Sequence, residues 1–227
     1  AHIFPILIAV YFGEYAVLLG FLQSLALSAF ISGILIFSFR TYAFPYERRS
    51  VLLVMLTTTL VVPIIACFPF LTTMSLSSLS EGYFEAASAI STTGISLLGS
   101  QVDTPNAILG WRILIEWLGG LSILLLAVTF APFIGIAGAE QTVVNLPHGE
   151  GEGLTERLRS SFQKLGQTYA SITLAFAALL WISGASFLDG LTLSMTGLAT
   201  GAFTFHQDGL AFYNSFWMEL IMAGALI

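Results

Sequence analysis

Long apolar runs alternate with short polar stretches along this chain, and the lengths of the runs carry the first inference. Residues 16–39, 51–74, 111–138 and 169–187 are each long enough to cross a bilayer as a helix, since about 20 residues span a hydrocarbon core of ~30 Å. The run 111–138 contains Pro132 and Gly135, which predict a tilt or a break near its end. The opening run, 3–12, is too short to cross alone, and the closing run, 210–227, is incomplete. Two further stretches, 82–90 and 188–197, are apolar and helix-compatible but shorter. A helix of such length rises only about 13 Å. Each is followed by a polar, glycine-bearing segment and then by the next apolar run.

Charge placement gives the sidedness. Arg40, Arg48 and Arg49 lie in the stretch 40–50, and Arg157, Arg159 and Lys164 in 140–167. Six of the seven basic residues therefore sit in two loops, and the positive-inside rule places both in the cytoplasm. Residues 75–110 are then external. The predicted organisation is residues 1–39 as an N-terminal hydrophobic hairpin, 40–50 as a cytoplasmic loop, 51–139 as a first membrane–loop–membrane repeat, 140–167 as a second cytoplasmic loop and 168–227 as a second repeat. Composition agrees with a bilayer as solvent: 56% of the 227 residues are apolar and only 9% charged, and the mean hydropathy is +0.90. Seven basic residues cannot build a nucleic-acid surface. The lone Cys67 forms no internal disulfide and reads as packing. The chain starts at Ala1 and stops at Ile227 within an apolar run, so both ends are expected to be cut.

The external stretch carries the chemistry. Non-helical backbone at membrane depth is tolerated only where protein or a water-filled path surrounds it. A short helix that dips in and leaves by a loop is one way to line a pore. Carbonyls aimed at an axis replace the water shell of a monovalent cation, and adjacent carbonyls share a direction only where the backbone alternates in hand, which glycine permits. The candidate coordinating groups are the carbonyls of Thr92, Thr93, Gly94 and Ile95 in the first loop and of Ala199, Thr200, Gly201 and Ala202 in the second. Superposing Gly94 on Gly201, 107 residues apart, pairs Thr93 with Thr200 and predicts a tandem repeat. A plain turn is the bland alternative for either loop taken alone.

The run from Tyr83 to Gly94, the block Trp111-Arg112-Ile113-Leu114-Ile115-Glu116-Trp117-Leu118-Gly119-Gly120 and the segment from Ala199 to His206 together resemble the Trk/Ktr family of potassium uptake proteins. The resemblance covers nearly the whole chain. It implies an all-α, polytopic fold of four membrane–pore-loop–membrane repeats around one pore, of which this chain carries two, preceded by the hairpin of TrkH-like members. It also implies potassium uptake across the inner membrane, with the ion as cargo and no cofactor. A homodimer and a cytosolic nucleotide-binding regulatory subunit are the expected partners. Glycine at position 94 goes with potassium; serine there goes with sodium in plant relatives. The family's gate loop and its later basic residue belong to repeats absent here, and position 116 is often Gln where this chain has Glu116. A sodium-conducting member of the same superfamily and a non-conducting membrane scaffold stay open.

Three intramembrane carboxylates need accounts. Glu116 lies four residues after Arg112 on one helical face, which predicts a self-neutralising pair. Glu85 has no basic neighbour in sequence and is expected to anchor its loop by accepting backbone N–H bonds, with attraction of cations to the mouth as the alternative. Glu219 has no visible partner. His2, His148 and His206 lack metal-ligand spacing, and no nucleophile motif or phosphate-cradling loop appears, so no enzymatic activity is expected. Residues 149–153 read as a flexible linker.

Overall fold

A computed structural model describes residues 1–41, 48–73, 75–98, 103–134, 154–206 and 208–225, and among these the chain is all-α, with no strand. The N-terminal hairpin consists of α1 (Ile3–Phe12) and α2 (Tyr15–Phe39). Gly13 turns the chain between them with φ 72°, the left-handed conformation that closes a helix without a Cβ penalty. The next glutamate, Glu14, reaches across to the first turn of α6 (Asn106–Ile134). Its two carboxylate oxygens accept the Asn106 and Ala107 amides at 2.7 and 3.0 Å, two donors that a helix start leaves orphaned. The hairpin is thereby tied to the first repeat.

The expected run 51–74 is a bent helix rather than a straight one. It divides at Cys67 into α3 (Arg48–Ala66) and α4 (Phe68–Thr72). Pro63 and Pro69 each remove a backbone donor. The Cys67 amide still reaches the Pro63 carbonyl at 2.9 Å, so the two parts remain stacked. Met74 lies outside the described residues. Tight packing holds α4 against α2: a Cβ added at Gly20 would stand 2.8 Å from the Thr72 carbonyl oxygen. Small residues that let backbones approach are how helices associate where lipid is as apolar as the core. Trp111 of α6, buried beside Phe21, donates its indole N–H to the Ala66 carbonyl at 3.1 Å and so joins α2, α3 and α6.

The remaining helices are α5 (Leu79–Ile90), α7 (Leu154–Ile182), α8 (Phe187–Leu198) and α9 (Phe216–Ala225), with a 3-10 turn at Gly209–Tyr213. Helix α7 already begins at Leu154, inside the stretch expected as a loop, and it ends before 187. Its stop is local: Gly184 takes φ 110°, and Ser186 caps the helix that follows. Helix α6 continues through Pro132 to Ile134; Gly135, the other residue of the expected tilt or break, and the linker 149–153 lie outside the described residues. Among the described residues, three helical segments are long and apolar enough to cross a membrane: Tyr15–Phe39, Asn106–Val128 and Phe162–Ile182. Helices α5 and α8 are 12 residues each and cannot cross.

Candidate functional site

Each short helix starts with a side-chain cap. Ser78 accepts the Glu81 amide while a Glu81 oxygen accepts the Ser78 amide, a reciprocal capping box. Ser186 accepts the Asp189 amide at the start of α8. Each ends in a loop whose amides turn back onto its last carbonyls, and the aligned peptide dipoles lend that end a negative field, equivalent to roughly half a charge.

The two loops repeat one another bond for bond. The Thr93 amide donates to the Ser88 carbonyl at 2.9 Å, and the Gly201 amide to the Thr196 carbonyl at 2.9 Å. The Ser88 hydroxyl donates to the Ile95 carbonyl at 2.6 Å, and the Thr196 hydroxyl to the Phe203 carbonyl at 2.7 Å. Thr92 and Thr200 both take left-handed φ, 55° and 53°, an uncommon state for a β-branched residue. All these pairs are 108 residues apart. The repeat is therefore present, but its register differs by one from the glycine-on-glycine superposition. Gly94 corresponds to Ala202, and Gly201 corresponds to Thr93. The physical reason is that the backbone bend sits on the threonines, so glycine identity is a false guide to alignment.

The two glycines consequently do different work. Gly94 has φ 77° and faces the other loop: a Cβ there would stand 2.7 Å from the Ala202 Cβ. The loops are in contact at this point. Gly201 has no positive φ; instead its missing side chain leaves room for the Glu116 carboxyl group, which packs directly on it. Of the other predicted coordinating residues, Thr93, Ile95, Thr200 and Ala202 are exposed, Thr92 is half-buried, and Ala199 is buried at the end of α8. The Ile95 carbonyl is engaged by Ser88.

Behind the loops lies a buried charged cluster. Glu85, fully buried in α5, accepts from the Ser96 hydroxyl and from the Leu97 amide, both at 2.8 Å, so it anchors the outgoing limb of the first loop as expected. Its cationic partner is Arg112, whose Nε lies 3.1 Å from Glu85 Oε1, off the line of a hydrogen bond. The expected Arg112–Glu116 pair is thus replaced: Arg112 goes to Glu85, and its guanidinium lies over the Phe203 ring at 3.9 Å. Glu116, also fully buried, accepts the Ala202 amide at 3.1 Å through Oε1, and its Oε2 has no hydrogen-bond partner. The second loop has no carboxylate of its own here, because Leu193 stands where Glu85 stands in the first. Gly119 and Gly120 complete the arrangement. A Cβ at Gly119 would collide with the Ile90 carbonyl at the end of α5, and one at Gly120 would stand 3.1 Å from the Ala199 Cα at the end of α8. Both short helices therefore rest on α6. Glu14 and Gly119 carry no signal of these contacts in their sequence neighbourhood.

An all-α membrane protein whose two non-crossing helices end in matched, touching loops belongs to the class of re-entrant-loop membrane proteins. Its family is found by comparison. Residues 19–227 match the model of the TrkH family, described as cation transport protein, and the chain belongs to that family. The Trk system potassium uptake protein TrkH of Vibrio parahaemolyticus is 30% identical over 145 residues, which are 63% of this chain and 30% of that protein. TrkH of Escherichia coli K12 is 28% identical over 179 residues, 78% of this chain and 37% of its own length. The crystal structure of the potassium transporter TrkH from Vibrio parahaemolyticus superposes with a TM-score of 0.82 at 25% identity, covering 97% of this chain and 44% of that one. The chain thus spans about a third of the length of these curated relatives.

Proposed function

We propose that this chain forms part of the ion pathway of a potassium uptake protein in the inner membrane. The observation that carries the proposal is the pair of matched loops meeting at Gly94 and Ala202, each hung from the carbonyl end of a helix too short to cross. The coordinating groups would be carbonyls of Thr92, Thr93, Gly94 and Ile95 on one side. On the other they would be those of Thr200, Gly201 and Ala202, with Ala199 at the inner end. Two loops cover only part of the circumference of an ion, so loops from further repeats would close the ring. The ion is cargo, its hydration replaced by peptide oxygens, and no bond is made or broken. A homodimer and a cytosolic nucleotide-binding subunit are proposed as partners; the family resemblance supports both, and the relatives are named as proteins of a Trk system.

Reconstitution of the full-length protein in liposomes tests this. Potassium influx down a gradient, in excess over sodium, is the expected result. Sodium influx without potassium preference would favour the sodium-conducting alternative, and no flux of either ion from folded protein would leave the scaffold reading.

A further inference from the structure

Helix α6 contributes two charged, buried side chains one turn apart: Arg112 reaches Glu85 behind the first loop and also lies on Phe203 of the second, and Glu116 reaches the second loop alone. Arg112 pairs with Glu85, the anchor of the first loop, and Glu116 holds the Ala202 amide of the second. Ala202 is the residue that abuts Gly94 across the gap. The chain of contacts Glu116–Ala202–Gly94 therefore links α6 to the point where the loops meet. Gly201 makes this reach possible by leaving the space the carboxyl group fills. The Oε2 of Glu116 lies buried outside hydrogen-bond geometry, while the carboxyl group also faces the Thr196 hydroxyl and the Phe203 amide of the second repeat.

We propose that Glu116 is a positioning residue for ion selectivity: its Oε1, by accepting the Ala202 amide, sets the separation of the two loops, and this acceptor reach rather than its charge is what the site requires. Arg112 performs the corresponding task for the first loop through Glu85. The proposal rests on the potassium-conduction reading above.

Two variants of the full-length protein separate reach from charge. Glu116→Gln keeps the side-chain length and an acceptor oxygen but removes the charge. Glu116→Asp keeps the charge but withdraws the oxygen by one methylene. In liposomes, with folded protein verified by size-exclusion chromatography, Glu116→Gln is expected to keep the potassium-to-sodium flux ratio within about twofold. Glu116→Asp is expected to lower it about tenfold, the upper end of what the loss of one ordinary hydrogen bond corresponds to. A ratio kept by Asp and lost in Gln would show that charge governs, and would overturn the proposal, as would a ratio unchanged in both or lost in both. Should Glu116→Asp not fold, Gly201→Ala replaces it, because a methyl there drives the carboxyl group off Ala202; the same drop is expected, and an unchanged ratio overturns the proposal. Wild-type protein that conducts no potassium would instead defeat the underlying functional reading, so the two failures are distinct.

Discussion

Ser88 and Thr196 occupy the same station in successive repeats: each hydroxyl reaches forward seven residues to the carbonyl that closes its own loop, at 2.6 and 2.7 Å. Neither is in the loop itself. Each sits on the last full turn of its short helix and fixes the chain as it leaves, which makes the loop shape a property of the helix.

Removing either hydroxyl should loosen one loop and spare the other. A typical intramolecular hydrogen bond contributes about 1 kcal/mol. Ser88→Ala and Thr196→Val are each expected to lower the thermal unfolding midpoint in detergent by a few degrees and to reduce potassium preference. Because the loops also touch at Gly94 and Ala202, the double variant should lose more preference than the two single losses combined. Strict additivity in flux ratios would show that the loops behave independently.

Gly94 meets two independent constraints, a φ of 77° and the methyl of Ala202 at 2.7 Å from any added Cβ. Gly94→Ser should destabilise by roughly 1–3 kcal/mol, the cost of a strained backbone, and should erode potassium preference by pushing the second loop away. Gly33, with open space around it, is the control. Gly33→Ala should leave both readouts alone. Equal effects at the two positions would remove the contact from the explanation.

Glu14 supports the first turn of α6 from the hairpin. Glu14→Ala strips two amides of their acceptor, and the loss of a helix cap costs about 1–2 kcal/mol. Hydrogen exchange at Asn106 and Ala107 should rise, together with protease sensitivity of the hairpin, while exchange at the second short helix stays constant. Unchanged exchange at Asn106 would mean the cap is dispensable.

Hydrogen bonds from the Ser77 hydroxyl, then from the Ser77 and Ser78 amides, lower the pKa of Glu81 in the first turn of α5. A carboxylate whose folded pKa is depressed contributes stability that is present above its unfolded value, about 4.3, and is lost as pH falls through the lower folded value. The difference in unfolding temperature between wild type and Glu81→Gln should therefore hold from pH 7 down to about pH 4.3 and shrink below it. A difference that grows with acidification would have the wrong sign for this box.

Three of the four expected crossing runs, 16–39, 111–138 and 169–187, are legible in run length, because lipid demands about 20 apolar residues of anything that crosses, and the two short helices show in the shorter runs; the fourth run, 51–74, divides at Cys67. The caps, Ser78 with Glu81 and Ser186 with Asp189, come from the structure, although such pairs are local patterns. What escaped was long-range. Arg112 and Glu85 are far apart in sequence, and the nearer Glu116 was the obvious partner on helical spacing. Space decided otherwise, since Glu116 is drawn to the amide of a loop in the next repeat. The register error has a similar origin. Glycine identity points to Gly94 and Gly201 as the paired bend, whereas Thr92 and Thr200 carry it. Glu14 gave no hint, because a cap contributed from about ninety residues away has no local pattern.

Gly119 and Gly120 receive the ends of both short helices on adjacent residues of one long rod. A tilt of that rod of even a few degrees must carry both loop floors with it, in the same sense and at the same moment. Evolution cannot retune one half of this mouth by moving its foundation; it must do so through side chains such as Leu193 and Glu85, where the halves differ.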